Sequence, residues 1–241
     1  MEGRGKHRAR AEDLRERYPY AREVLTLYLA LLDVWDQELP PEQAFPLVVK
    51  ATEAYGPAPL AEAARAAEVS VLDAWAGGAE LDAAAFYLAR ASGAVGPYRP
   101  QAGDGDCPRC GGPAVLSYRS GGAEKLVSGK RLLRCGYCRH DWAFSASTCA
   151  GCGETSGSER TVYAEEVPGE PAVGRRDVSG DAMLPQLRIE GCESCHRYLI
   201  DVDLGRDPRA VPEVDELAAL PLQLYAAERG LSKICPNLMG F

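Results

Sequence analysis

The chain has 241 residues, 46% apolar and 7% aromatic, enough for one large domain or two to three small ones with a real core. Its formal net charge of −8 weighs against phosphate backbones as default partners, so no nucleic acid is expected, and no apolar run is long enough to span a membrane. No signal peptide is visible, since mixed charge follows the basic residues 1–10; the expected compartment is the cytoplasm, where paired cysteines bind metal more often than they form disulfides.

Residues 1 to about 100 read as helical. From Ala21 to Glu38, Val24, Leu25, Tyr28, Leu31, Leu32 and Trp35 recur at three-and-four spacing and form one apolar stripe. Pro40-Pro41 stops that helix, and a second is expected from Pro41 to Tyr55, closed by Gly56-Pro57. An Ala-rich helix from Leu60 to Trp75 should end at Gly77-Gly78, and another should run from Leu81 to Ala91 before Gly93. Four such helices with short connections suggest a small bundle. The Leu31/Trp35 stripe reads as core, although a homodimer through it stays open.

Residues 93–106, with Pro97, Pro100 and four glycines, read as a linker. Beyond it, strand-like runs are expected at Ala114–Tyr118, Lys130–Arg134, Trp142–Phe144 and Gln186–Glu190. Lys125, Lys130, Arg131 and Arg134 read as a solvated basic face of a hairpin. Residues 168–181 read as a mobile loop, and Val214–Arg229 as a helix, interrupted by Pro221, that packs back on one of the domains.

Eight of the nine cysteines form four Cys-x-x-Cys pairs, Cys107/Cys110, Cys135/Cys138, Cys149/Cys152 and Cys192/Cys195. Two pairs make one tetrahedral four-thiolate site, so the count predicts two sites and no remainder. The 24-residue and 39-residue intervals within consecutive couples each hold a hairpin, which favours sequential over interleaved pairing. Glycine after Cys110 and after Cys152 suits the tight turn of a zinc or rubredoxin knuckle. Such sites accept iron or zinc, and with all four positions filled by protein no catalytic coordination position is expected. His140 and His196 are read as hydrogen-bonding neighbours or surface residues, and Cys235 as a partly buried free thiol.

These motifs, in this order, resemble the formate dehydrogenase accessory proteins of the FdhE type. The resemblance rests on Cys107-Pro-Arg-Cys110-Gly-Gly-Pro113, Arg131-Leu-Leu-Arg-Cys135-Gly-Tyr-Cys138 with Trp142, and Cys149-Ala-Gly-Cys152. It continues through Glu190-Gly-Cys192-Glu-Ser-Cys195-His-Arg-Tyr198-Leu199, Asp215-Glu-Leu217 and Pro236-Asn237. The chain departs from the family pattern at Val214-Asp215, at Ile200 and at Pro236-Asn237-Leu238.

The resemblance implies a cytoplasmic assembly protein that binds the catalytic subunit of a respiratory formate dehydrogenase during its maturation. It implies the eight paired cysteines as metal ligands, iron as the metal most often proposed, and no turnover of its own. A rubredoxin-like protein passing electrons or handling thiols is the alternative. The expected fold is therefore α+β. A helical domain over 1–100 precedes rubredoxin-like or zinc-ribbon modules over 101–145 and 146–241, the last carrying a C-terminal helix. No catalytic residue is assigned.

Overall fold

The computed structural model describes residues 2–119, 130–165 and 183–240. Lys125 and the loop expected over 168–181 lie outside the described residues.

Six helices come first: α1 (Glu2–Arg17), α2 (Arg22–Trp35), α3 (Pro41–Tyr55), α4 (Ala58–Ala66), α5 (Val71–Ala76) and α6 (Ala83–Ala91). Helix α2 is the centre of this half, and its Leu25, Leu27, Tyr28, Leu31 and Leu32 are buried. Pro41 opens α3 at a position where its missing N–H is no loss. Asp82 caps α6, accepting a hydrogen bond from the Ala85 N–H at 2.8 Å. The Leu31/Trp35 stripe belongs to the core: Leu31 is fully buried, and the Trp35 Nε1–H donates to the Ala91 carbonyl at 2.6 Å.

Two helical expectations need correction. The Ala-rich run over 60–75 is two helices, because Ala67 turns extended and the chain reverses before Val71. That break lets Leu72 and Trp75 face the core, with Trp75 edge-on to Phe86 at 5.2 Å. Helix α1 was not singled out, since its buried residues are only Arg10, Ala11 and Leu14 among many charges.

The second half is built on one seven-stranded sheet: β1 (Ala114–Arg119), β2 (Arg131–Cys135), β3 (Asp141–Ala143), β4 (Arg160–Tyr163), β5 (Leu187–Cys192), β6 (Arg197–Asp203) and β7 (Ser232–Lys233). The order is β3-β2-β1-β6-β5-β4, with β7 beside β6. Within each three-strand group neighbours are antiparallel, and the groups join where β1 runs parallel to β6, Ser117 opposite Asp201. Strands β4, β6 and β7 were not among the expected runs. The terminal helix is two helices, α7 (Pro212–Leu217) and α8 (Leu220–Glu228), and Pro221 sits harmlessly in the first turn of α8.

The helices and the sheet share one hydrophobic core, in which Leu14, Leu31 and Tyr87 belong to the same cluster as Leu116, Ile189 and Ile200. The presumed linker is packed: a Cβ on Gly96 would lie 2.7 Å from the Trp75 ring and 2.8 Å from the Tyr137 ring. The basic hairpin face is only partly solvated. Lys130 is exposed, but Arg131 is buried against Glu190 at 2.6 Å, and Arg134 pairs with Asp141 and Glu213. Burying guanidinium groups requires such partners, which lie in other strands and in α7.

Candidate metal centres

Each knuckle is a turn placed at a strand end. Cys107 and Cys110 precede β1, and Cys135 closes β2 ahead of Cys138. Cys149 and Cys152 precede β4, and Cys192 closes β5 ahead of Cys195. The first knuckle of each group folds identically. Gly111 N–H donates to the Cys107 carbonyl at 2.8 Å, and Gly153 N–H to that of Cys149 at 2.9 Å. The residue after the second cysteine has positive φ in all four knuckles: Gly111 (69°), Arg139 (59°), Gly153 (80°) and His196 (52°). Glycine is required at 111, where a Cβ would meet the Arg99 carbonyl oxygen at 2.0 Å.

These turns bring the thiols together as two sets, Cys107/Cys110/Cys135/Cys138 and Cys149/Cys152/Cys192/Cys195, the sulfurs of each set lying within 4.8 Å of one another. Sγ–Sγ separations are 3.7 Å for Cys107–Cys138 and 3.4 Å for Cys110–Cys135. They are 3.8 Å for Cys149–Cys195 and 3.7 Å for Cys152–Cys192. A metal–sulfur bond of about 2.3 Å gives a tetrahedral edge of about 3.8 Å, so both sets can hold a metal ion. Backbone N–H groups of Arg109, Tyr137 and Gly151 point at Cys107, Cys135 and Cys149 from 3.3–3.4 Å, a polarity that suits thiolates.

Burial, the largest influence, pushes the Cys110 thiol up to about 11 and also raises Cys135, Cys149 and Cys195. Burial acts upward on Cys138 and Cys192 as well. There the backbone N–H groups of His140 and Cys195, with the neighbouring thiols, outweigh it and leave both below the ordinary thiol value. Each set thus joins one thiol held below the ordinary value to two that burial raises, Cys110 and Cys135 in the first and Cys149 and Cys195 in the second.

The two centres differ in setting. The first is buried at Cys107, Cys110 and Cys135, whereas Cys152 of the second is exposed. Tyr137, inside the first centre's second knuckle, stands edge-on to Trp75 at 4.8 Å and ties that centre to α5. Glu154 joins the two knuckles of the second, accepting from Thr155 N–H, Ser156 N–H and the Ser194 hydroxyl. The histidines act here through backbone: the His140 carbonyl accepts from Cys135 N–H, and that of His196 from Ser232 N–H.

Cys235 is buried, and burial raises its thiol to about 11. A Cβ on Gly136 would lie 2.4 Å from its sulfur, and one on Gly151 would lie 3.2 Å from the Ile234 side chain. Adjacent tail residues therefore cover one knuckle of each centre, which the spacing of the cysteines gave no sign of.

The FdhE C-terminal domain family matches residues 175–239. The C-terminal part of the chain resembles FdhE proteins. The chain is 28% identical over 135 residues to a protein FdhE homolog of Aquifex aeolicus, covering 56% of this chain and 41% of that one. It is 35% identical over 135 residues to the homolog of Pseudomonas aeruginosa, covering 55% and 38%. These matches span less than half of either relative's length. The crystal structure of the FdhE protein from Pseudomonas aeruginosa superposes with a TM-score of 0.63 at 23% identity, over 97% of this chain and 94% of that one, which shows a common fold.

Proposed function

We propose that this protein is an accessory factor for a respiratory formate dehydrogenase, acting in the cytoplasm by binding the catalytic subunit during its maturation rather than by turnover. The observation that carries the reading is the pair of four-cysteine centres set into an FdhE-type fold. The eight cysteines are the proposed ligands. A bound zinc or iron ion would cross-link strand ends in each three-strand group, and iron would add a one-electron couple.

The helices and the first centre pack together through Trp75 and Tyr137, so metal at that centre would help to hold the helical half in place. The test is capture of a formate dehydrogenase catalytic subunit from the same cell by metal-replete protein and by the Cys107→Ser/Cys110→Ser variant. Capture by the replete form alone supports metal-dependent assembly. Failure of both forms overturns the proposed client. Exposure of Cys152 favours a second reading, electron transfer at the second centre, for which the visible spectrum of a ferric four-thiolate site is the first requirement.

A further inference from the structure

A cavity of about 470 Å³ lies between the helices and the first metal centre. It is bounded by α1, α2, α6, β2, α7 and the tail, and its size is that of a small-molecule site. Tyr28, Leu32, Trp35, Leu39 and Leu238 give it an apolar wall.

Two buried polar side chains on the cavity lining lack a hydrogen-bond partner among the described residues. Arg90, 7% exposed, makes no hydrogen bond or ion pair with any described residue, and its Nη1 is buried and unsatisfied. Its guanidinium lies over the face of Phe86, one turn back on its own helix, and Cys235, Glu216 and Cys135 are near enough to act on its charge. Ser92, 2% exposed, has an equally orphaned hydroxyl. The carboxylates of the same cavity are already engaged, Glu213 with Arg134 and Glu216 with Lys233. A desolvated guanidinium without a hydrogen-bond partner is costly, and burial lowers its pKa although Cys235, Glu216 and Cys135 act to raise it.

We infer that this cavity binds a small organic carboxylate, held by Arg90 and Ser92 with its apolar body against Tyr28, Leu32 and Trp35. A carboxylate supplies the missing hydrogen-bond acceptor, and its planar shape suits the fork of guanidinium donors. The aliphatic and aromatic wall selects for a hydrocarbon body over a fully polar one. The inference does not depend on which client the protein takes, and because Cys135 lines the cavity the protein is held in one metal state throughout its test.

Isothermal titration calorimetry on the full chain tests it, with 4-methylpentanoate, its neutral amide and acetate as probes. The expected result is saturable binding of 4-methylpentanoate, weaker binding of acetate, and at least a roughly tenfold loss for the amide, as befits a hydrogen bond to a charged group. Arg90→Gln should weaken the carboxylate by a similar factor and leave the amide unchanged. Ser92→Ala should weaken it several-fold, and with the amide comparison it carries the test should Arg90→Gln not fold. Equal binding of carboxylate and amide, or no saturable binding of 4-methylpentanoate, overturns the inference and leaves Arg90 solvated by water alone.

Discussion

Arg10 and Asp215, 205 positions apart, form a bidentate ion pair, with Nε 2.9 Å from Oδ2 and Nη2 2.5 Å from Oδ1. Both side chains are buried, at 3% and 0% exposure. Asp215 also accepts from Gln186 Nε2 and from Val211 N–H, each at 2.7 Å, while Arg10 reaches Asp207 at 2.8 Å. This network clamps α1 to α7 and so joins the two ends of the chain.

Removing one partner leaves the other charge buried and uncompensated. Arg10→Met should therefore cost about 3–5 kcal/mol in urea unfolding, well beyond a surface ion pair. A cost under about 1 kcal/mol would show that the clamp contributes no more than an exposed pair.

Gly136→Ala places a methyl group against the Cys235 sulfur, where only 2.4 Å is available. Overpacking of that kind should destabilise by about 1–3 kcal/mol. Cys235→Ala should recover a large part of the loss, and the coupling in a double-mutant cycle measures it. Additive effects would place the two groups out of contact.

His196 holds a left-handed backbone angle of 52° and is exposed, and its imidazole bonds to no described residue. His196→Gly should relieve the strain and leave stability unchanged or raised by up to about 1 kcal/mol, with metal content unaltered. Loss of metal in that variant would give the imidazole a role that the geometry does not.

Chelator should strip the two centres at different rates, because Cys152 is exposed while three thiols of the first centre are buried. Two kinetic phases are expected in metal release, and Cys152→Ser should abolish the fast one. A single phase in the parent chain would contradict the difference in burial.

Metal binding must displace protons from thiols that burial raises, Cys110 to about 11 and Cys135, Cys149 and Cys195 in the same direction. Zinc affinity should therefore rise with pH, by more than tenfold per unit between about pH 6 and 8 if more than one proton leaves per ion. A flat profile in a competition titration would mean that the thiols are already ionised without metal.

The grouping of the cysteines was legible in the sequence, because a Cys-x-x-Cys pair carries its turn geometry within four residues. The partition into two sets followed from the order of the pairs, and the structure brings the same eight sulfurs together. Helices α3 and α6 were readable for a similar local reason, an apolar stripe closed by Pro or Gly. Strand β6 was not: Tyr198, Leu199 and Ile200 are all buried, which leaves no alternation to read. The break between α4 and α5 escaped because Ala-rich sequence favours helix throughout and only the packing of Trp75 opposes it.

By itself, then, the sequence determined the local chemistry: eight thiols in four turns, an apolar stripe on α2, and the sites where Pro and Gly end a helix. Only the tertiary structure decided that β1 pairs with β6, that Arg10 meets Asp215, that Cys235 lies under Gly136 and that Arg90 Nη1 is buried without a hydrogen-bond partner among the described residues. Those relationships join residues up to 205 positions apart, where no local period or spacing carries information. Their energy comes from desolvating charge and from close packing, and both exist only once the distant surfaces have met.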